Sequence, residues 1–447
     1  MGARVVLIEG HKMGGDCLNY GCVPSKALLA AAAAAEARRR GGAFGLSDDA
    51  GEIDFARAQA HVREVIEAIA PQDSAERFRG LGVEVILGRA RFTGPDTVEV
   101  GGQRIAARRF VVATGSSPLV PPIAGLDQLP YLTNETVFDN ETRPPHLLVI
   151  GGGPIGAELA LAHRRLGAEV SIFEMATLLP KDDPELVEVL RLALRREGIA
   201  LHEGARVRSV AAAAEGIAVD LEEAGSRRSI VGSHLLVAAG RRTNTDGLGL
   251  EAAGIEAGPG GIVVDRRLRT TNRRVYAVGD VAGGPQFTHV ASYQAGIIIR
   301  NALFRLPAKV DGRALPWVTY TDPELAQVGL TEDAARQRAG EIRVLRWPFA
   351  ENDRAQAERR TEGFVKALTD KRGRILGCGI VGAHAGELIQ PWVLAIQNRL
   401  KIGALASYVA PYPTFGEAGK RAAGSFYAPK LFNARTRAIV RFLARFG

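Results

Sequence analysis

The sequence predicts an α/β fold: two doubly wound parallel-sheet domains, then an α+β domain toward the C-terminal end. Three observations predict it. Short apolar runs alternate with helical stretches from residue 4 to residue 304, which is the pattern of βαβ units. A glycine-rich turn at residues 151–156 joins one such run to a helix. Beyond Pro316 the apolar runs follow one another without helices between them, as antiparallel strands do.

Taken in order, residues 4–8 (RVVLI) form a short apolar run ending at Glu9, which predicts a parallel strand. Gly14 and Gly15 lead into a cysteine segment and an Ala-rich helix. Residues 83–87 and 110–113 read as further strands. Thr114-Gly115-Ser116-Ser117-Pro118 then breaks the chain, a proline-rich connection follows (Pro118, Pro121, Pro122), and Pro144-Pro145 marks a second boundary. Residues 146–150 predict a buried strand, 154–166 a helix and 170–173 the next strand. The alternation is expected to continue to a strand at 235–239 ending in Ala239-Gly240. Residues 275–278 return to an apolar strand ending at Gly279-Asp280, with a helix from about 289 to 304. Residues 317–320, 342–347, 363–369 and 375–381 read as antiparallel strands, and 387–398 and 415–423 as helices.

The chain has 447 residues, too many for one ordinary core and enough for roughly two to four domains. Apolar residues make up 46% and charged residues 24%, the balance of a globular protein. The longest apolar stretch, residues 27–35, is bracketed by Lys26 and Glu36 and reads as a core helix, not a membrane span. No membrane partner is expected, and the opening residues lack the order of a secretion signal; the expected localisation is cytoplasmic. The net charge is +8. Arg is spread along the chain, so the surface is read as mixed, basic enough to attract a polyanionic dinucleotide and without a nucleic-acid motif. Three cysteines are too few for a disulfide-stapled domain. Two of them, Cys17 and Cys22, lie close together, which points to catalysis or metal. Zinc would need two further ligands, and Cys378 is remote, so no metal site is expected.

The clearest phosphate site is Gly151-Gly152-Gly153-Pro154-Ile155-Gly156, with Glu174 ending the next strand. Gly151 allows the tight turn, Gly153 lets backbone approach a pyrophosphate, and Gly156 lets helix and strand pack closely. The helix N-terminus offers unpaired N–H groups and a positive dipole. Glu174 can accept from a ribose with a free 2′-OH and would repel a 2′-phosphate, so NAD is expected over NADP. Glu9 stands at the matching place of a second such unit, whose preceding strand, glycine loop and helix are missing. Such a unit takes about 30 residues. The expectation is that roughly this many precede Met1 in a longer protein, leaving the first unit truncated.

Cys17 and Cys22, with four residues between them at the start of a helix, can close a small disulfide ring, and a helix N-terminus lowers a thiol's pKa. The segment from Cys17 to Lys26 resembles the active-site signature of the class I pyridine nucleotide-disulfide oxidoreductases, the group of lipoamide dehydrogenase, glutathione reductase and mercuric reductase. Gly279-Asp280 resembles that family's second flavin motif, and Thr114-Gly115 and Ala239-Gly240 resemble its two strand-end motifs. Glu158 matches the acid that pairs with the lysine of the cysteine motif, here Lys26. The resemblance covers nearly the whole chain.

The resemblance implies two Rossmann-like domains and a dimerisation domain. FAD would be held by residues 1–144 with 265–310, and NAD(P) by residues 145–264. Residues 311–447 would pair two subunits of a homodimer. Glu9, Gly14, Gly15, Lys26, Thr114, Gly115, Gly279 and Asp280 would serve FAD, and Gly151, Gly153, Gly156, Glu174 and Gly240 complete the cofactor-binding set. It implies that electrons pass from NADH through the flavin to the disulfide. Cys22 would be the thiolate against the flavin and Cys17 the interchange thiol. A Lys26–Glu158 pair would set positive charge where electrons accumulate.

Two departures bear on the acceptor. Disulfide-reducing members carry His-Pro-Thr with a Glu soon after, the His serving as acid–base partner of the interchange thiol from the other subunit. Here the segment is Tyr412-Pro413-Thr414-Phe415-Gly416-Glu417, and a phenol with a pKa near 10 does not shuttle protons at neutral pH as an imidazole does. Mercuric reductases resemble the chain at residues 387–390 and in a Tyr near that Pro, but need a cysteine pair at the extreme C-terminus, where this chain has Arg445, Phe446 and Gly447. The expected function is an FAD- and NAD(P)H-dependent reductase of an unassigned small-molecule or protein disulfide or thiol-linked acceptor. The alternatives are a mercuric reductase-like metal-ion reductase, a dihydrolipoyl dehydrogenase and a non-catalytic remnant unable to hold FAD.

Overall fold

The computed structural model describes residues 2–47 and 51–446; Met1 and Gly447 lie outside them. The chain divides into two units, residues 1–177 with 198–311, and residues 178–197 with 312–447.

In the first unit a parallel sheet runs in the order Ala200–Glu203, Glu169–Glu174, His146–Ile150 and His234–Val237. Its strands are near-continuous apolar runs, because helices cover a parallel sheet. Leu147, Leu148, Val149, Ile172 and Phe173 are buried. Pro154–Arg165 is the crossover helix, and the Pro at its start suits a position whose N–H would lack a partner. The Ala-rich segment forms helix Cys22–Arg39, which buries Ala27, Leu28 and Ala32. It packs against helices Phe55–Ile69 and Pro154–Arg165.

The expected alternation does not continue unbroken to residue 235. Three antiparallel strands intervene, Arg206–Ala213, Gly216–Glu223 and Ser226–Gly232. The second turn has positive φ at both Ala224 and Gly225, the tight geometry that matches strand twist. A second antiparallel triplet, Arg91–Gly94, Thr97–Val100 and Gln103–Ala106, also escaped the sequence reading. The strands expected to form the first parallel sheet occur as two separate parallel pairs. Val6–Glu9 lies beside Glu84–Leu87, and Phe110–Val112 beside Val275–Ala277.

The second unit is built on an antiparallel sheet ordered Pro316–Thr319, Glu324–Gly329, Ile375–Gly382, Phe364–Asp370, Ile342–Pro348. Glu324–Gly329 was not expected from the sequence. The single helix read at 387–398 is two, Ala385–Leu388 and Gln390–Gln397. Pro391 has no N–H to continue the first and instead opens the second. Cys378 is a buried core thiol, its pKa pushed up by burial.

Helix Pro184–Arg196 belongs to this unit although it lies within the segment expected to bind NAD(P). It packs across Glu324–Gly329 and Ile375–Gly382. Gly379 leaves the room: a Cβ there would meet Leu186 Cδ1 at 2.3 Å. The Lys366 side chain, 3% exposed, ties the helix down by donating to Asp183 Oδ2 at 2.7 Å. The same ammonium lies 2.8 Å from Glu332 Oε2. A further helix, Ala434–Leu443, is capped by Asn433, whose Oδ1 accepts from Thr436 N at 2.9 Å.

Candidate active site

The cysteine loop is shaped by its glycines. Gly14 adopts φ 84°, and a Cβ there would meet Leu18 Cδ2 at 2.3 Å. Cys17 sits in the short helix Gly15–Asn19, whose Asn19 side chain donates back to Gly15 O at 2.8 Å and Met13 O at 3.0 Å. Asn134 Nδ2 donates to Tyr20 O at 3.1 Å, and Arg241 lies 3.2 Å from Asp16 Oδ1. The loop is therefore held from two other segments of the same unit.

Cys22 is the first residue of helix Cys22–Arg39. Its Sγ lies 3.2 Å from Oγ1 of Thr288, the first residue of helix Thr288–Ala302. Two helix N-termini therefore meet at one sulfur, and both favour a negative charge there. A hydrogen bond from the Cys17 thiol is the largest influence, and with Thr288 and Lys26 it outweighs burial and brings the Cys22 pKa down to about 6. The Cys17 pKa is raised, first by that same bond and then by burial. The pair is thus asymmetric: one thiolate at neutral pH and one thiol that keeps its proton. Such a pair can pass between dithiol and disulfide by moving two electrons.

Lys26 stands four residues after Cys22 and so shares its helix face. Its Nζ lies 2.7 Å from Glu158 Oε2. Glu158 is buried, in the second turn of the Pro154–Arg165 helix. One ion pair therefore links the cysteine helix to the helix that leaves the glycine turn.

That turn fits a dinucleotide. A Cβ on Gly151 would meet Ala238 O at 2.4 Å, and one on Gly156 would meet Gly151 O at 2.0 Å, so neither position accepts a side chain. Gly153 faces open space, with nothing within 4 Å of a Cβ. Glu174 closes on the turn, accepting from Gly152 N at 2.7 Å and from Ala176 N at 2.8 Å.

The remaining sequence-predicted positions lie in the same unit. Thr114 Oγ1 donates to Asn244 O at 2.7 Å, and Asn244 returns a bond to Thr114 O at 3.0 Å. Gly115 has φ 70° and open space beside it. Gly240 accepts from Leu119 N at 3.0 Å. Gly279 N donates to the buried Gln294 Oε1 at 2.8 Å. Asp280 Oδ2 accepts from Ser116 Oγ at 2.5 Å, and Arg241 Nε donates to that same hydroxyl at 2.7 Å. Glu9 Oε1 accepts from His11 N at 2.7 Å at its strand end, and Gly15 has φ 59° with open space.

Tyr412 and Glu417 lie in the second unit. Tyr412 is exposed, and its hydroxyl donates to Asp353 Oδ2 at 2.7 Å, which raises the phenol's pKa. Glu417 is in the first turn of helix Gly416–Ser425. The sequence reading brought out Cys17, Cys22, Lys26 and Glu158, which the fold gathers, and missed Thr288, Asp16, Asn134, Ser116 and Arg241. Nothing in their spacing could have marked Thr288, which meets Cys22 from 266 residues away.

Comparison with known proteins bears on this geometry. The family described as pyridine nucleotide-disulphide oxidoreductase matches residues 1–295, and its dimerisation domain matches residues 315–423. A mercuric reductase of Lysinibacillus sphaericus is 38% identical over 428 residues, which span 95% of this chain and 78% of that protein. A dihydrolipoyl dehydrogenase of Thermus scotoductus is 37% identical over 439 residues, spanning 96% and 93%. Among solved structures, the HOCl-induced flavoprotein disulfide reductase RclA of Escherichia coli, as its Cu(II) complex, superposes with a TM-score of 0.84 at 28% identity, covering 94% of each chain.

Proposed function

We propose, from the premise that this chain belongs to the pyridine nucleotide-disulphide oxidoreductase family, that Cys17 and Cys22 carry two electrons from NADH to a disulfide or thiol-bound acceptor. The family's enzymes use FAD and a nicotinamide dinucleotide. The observation that carries the proposal is Cys22 Sγ, held at two helix N-termini beside Thr288, on the helix face that bears Lys26. Bound flavin would supply the relay between a hydride donor and the disulfide.

The chain's own residues do the rest. The glycine turn at 151–156 would seat the NAD pyrophosphate at a helix N-terminus, and Glu174 would accept from its ribose hydroxyls. Asp280, Thr114, Gly115, Gly14, Gly15 and Glu9 would hold FAD. Lys26, fixed by Glu158, would hold a positive charge near the flavin. Two electrons and one proton open the Cys17–Cys22 bond, leaving Cys22 a thiolate and Cys17 a thiol. Cys17 gives up its proton as its sulfur attacks an acceptor disulfide; the other acceptor sulfur leaves and takes up that proton. Cys22 then attacks Cys17 Sγ, which reforms the Cys17–Cys22 bond and releases the second acceptor sulfur, protonated from solvent. The dimerisation match supports action as a homodimer.

A second reading, reduction of a thiol-bound metal ion such as Hg(II), is favoured by Tyr412. Handing electrons to a metal ion needs no proton for a departing thiol, so a phenol in place of an imidazole costs nothing there.

The test is an anaerobic NADH titration of the full chain followed by absorbance, then turnover with lipoamide, glutathione disulfide and mercuric chloride. A yellow protein that develops a long-wavelength thiolate–flavin band, lost in Cys22→Ser, supports the proposal. The acceptor that turns over decides between the readings. A protein that binds no flavin would leave the non-catalytic remnant as the better account.

A further inference from the structure

The net charge of +8 is not evenly placed. Residues 418–446 contain seven Lys and Arg and no Asp or Glu, while the rest of the chain balances at 50 basic against 49 acidic side chains. Most of this stretch's charge lies on or beside helix Ala434–Leu443, which buries none of its residues. Arg437, Arg441 and Arg445 recur every four residues and form one stripe. Ile439, Phe442, Leu443 and Phe446 fall on the opposite side, at about 100° per residue, with Arg435 alone at the N-terminal end of that side, where a long side chain can reach to headgroups. Phe442 and Phe446 are in edge contact, with centroids 5.2 Å apart. This apolar side is bare: Phe442 is 57% exposed, Leu443 58% and Phe446 75%, and the nearby Phe432 is 82% exposed. Among the described residues, no carboxylate pairs with Arg435, Arg437, Arg441 or Arg445.

A bare apolar stripe opposite a stripe of arginines suits a boundary between hydrocarbon and anionic headgroups. We propose that this helix lies flat on an anionic lipid surface, with the Phe442–Phe446 side in the acyl boundary and the arginine stripe among the phosphates. Charge favours this occupant over a second copy of the chain, whose identical helix would bring Arg435, Arg437, Arg441 and the adjoining Arg445, four more positive charges, to the contact. The helix also lies beyond residues 315–423, the segment that matches the dimerisation domain. It lies on the surface and does not cross it. Ten residues of helix span about 15 Å against a hydrocarbon core of about 30 Å, and no described helix is long and apolar enough to cross a membrane. This proposal departs from the sequence-based expectation of no membrane partner, which rested on the absence of a stretch long enough to span.

The test is flotation of the full-length protein with vesicles of phosphatidylcholine alone and of phosphatidylcholine with phosphatidylglycerol. Flotation is expected only with the anionic vesicles, weakening as salt is raised through the physiological range. Each Arg→Gln at 437 or 441 should weaken partitioning about fivefold, and Phe442→Ser with Leu443→Ser should abolish it. These side chains are exposed, so circular dichroism should show the fold unchanged. No flotation of the wild-type protein with anionic vesicles at low salt overturns the proposal, as does flotation that these variants leave unaltered. Concentration-dependent self-association that Phe442→Ser removes, without vesicle binding, also overturns it and assigns the surface to a second copy.

Discussion

Replacing Thr288 by Val removes a hydroxyl 3.2 Å from Cys22 Sγ and keeps the side chain's shape. A hydrogen bond to a charged group contributes about 1.5–3 kcal/mol, and one pKa unit corresponds to about 1.36 kcal/mol. Sulfur is a weak acceptor, so the low end applies and the shift is about one unit. The Cys22 pKa is already brought down to about 6, first by the bond from Cys17, so the thiolate is the major form above that pH. Losing Thr288's bond raises the pKa to about 7, and the thiolate fraction at pH 6.5 falls roughly threefold. The assay is the pH dependence of iodoacetamide alkylation of Cys22 in the reduced protein, read by peptide mass spectrometry. The wild-type rate should reach half its maximum near pH 6, and Thr288→Val should move that midpoint up by about one unit. Rates of the two proteins should converge above about pH 8. Thr288→Ser keeps the hydroxyl and should restore the wild-type midpoint. A wild-type midpoint in the ordinary thiol range, or one that Thr288→Val leaves in place, would refute the account of how Cys22 is ionised.

Three further outcomes are expected. If Glu174 reads the ribose, NADH should reduce the enzyme much faster than NADPH in stopped flow and Glu174→Ala should narrow the ratio; equal rates in the wild type count against that role. Tyr412→His would place an imidazole in reach of Asp353, whose carboxylate already accepts the Tyr412 hydroxyl at 2.7 Å. Turnover on small disulfides should rise, and an unchanged kcat/KM would mean the limit lies elsewhere. Lys366→Ala leaves the buried carboxylate of Asp183 without its cation and should cost about 3–5 kcal/mol in a urea titration; a loss under about 1 kcal/mol would show that water or another cation takes over.

What could be read from the sequence was whatever the chain states locally. The glycine turn is legible because its demands are steric and short-range: Gly156 is fixed by a carbonyl five residues away. Cys17, Cys22 and Lys26 lie within one stretch, so their spacing alone puts the thiolate and the cation on one face. Glu158 came from family resemblance, and the fold puts it 2.7 Å from Lys26. Thr288 was invisible because threonine after a loop is common and only folding brings it to Cys22. The triplet at 206–232 was lost because Ala211, Ala212 and Ala213 carry no strand signal. Glu324–Gly329 was lost because Glu and Gln interrupt its apolar alternation, although Gln327 is buried. Lys366 reads as a surface residue by composition; its burial is made tolerable by Asp183 and Glu185 at the start of one helix and Glu332 at the start of another.

The bond between Asp183 and Lys366 joins residues 183 apart in the chain. A ribosome adding about 5–20 residues per second needs roughly 10–40 s to cover that interval. Throughout it, the helix Pro184–Arg196 has been made and the sheet it belongs to has not. Leu186, Val187, Leu190 and Leu194, all buried in the finished protein, lack their full partner sheet during that wait: Glu324–Gly329 is made late in it and Ile375–Gly382 only after it. This stretch of the nascent chain therefore offers a holding chaperone an apolar target for tens of seconds. A pause in translation between residues 197 and 366 would lengthen that exposure, whereas the same pause after residue 382 would come when the sheet is ready to receive the helix.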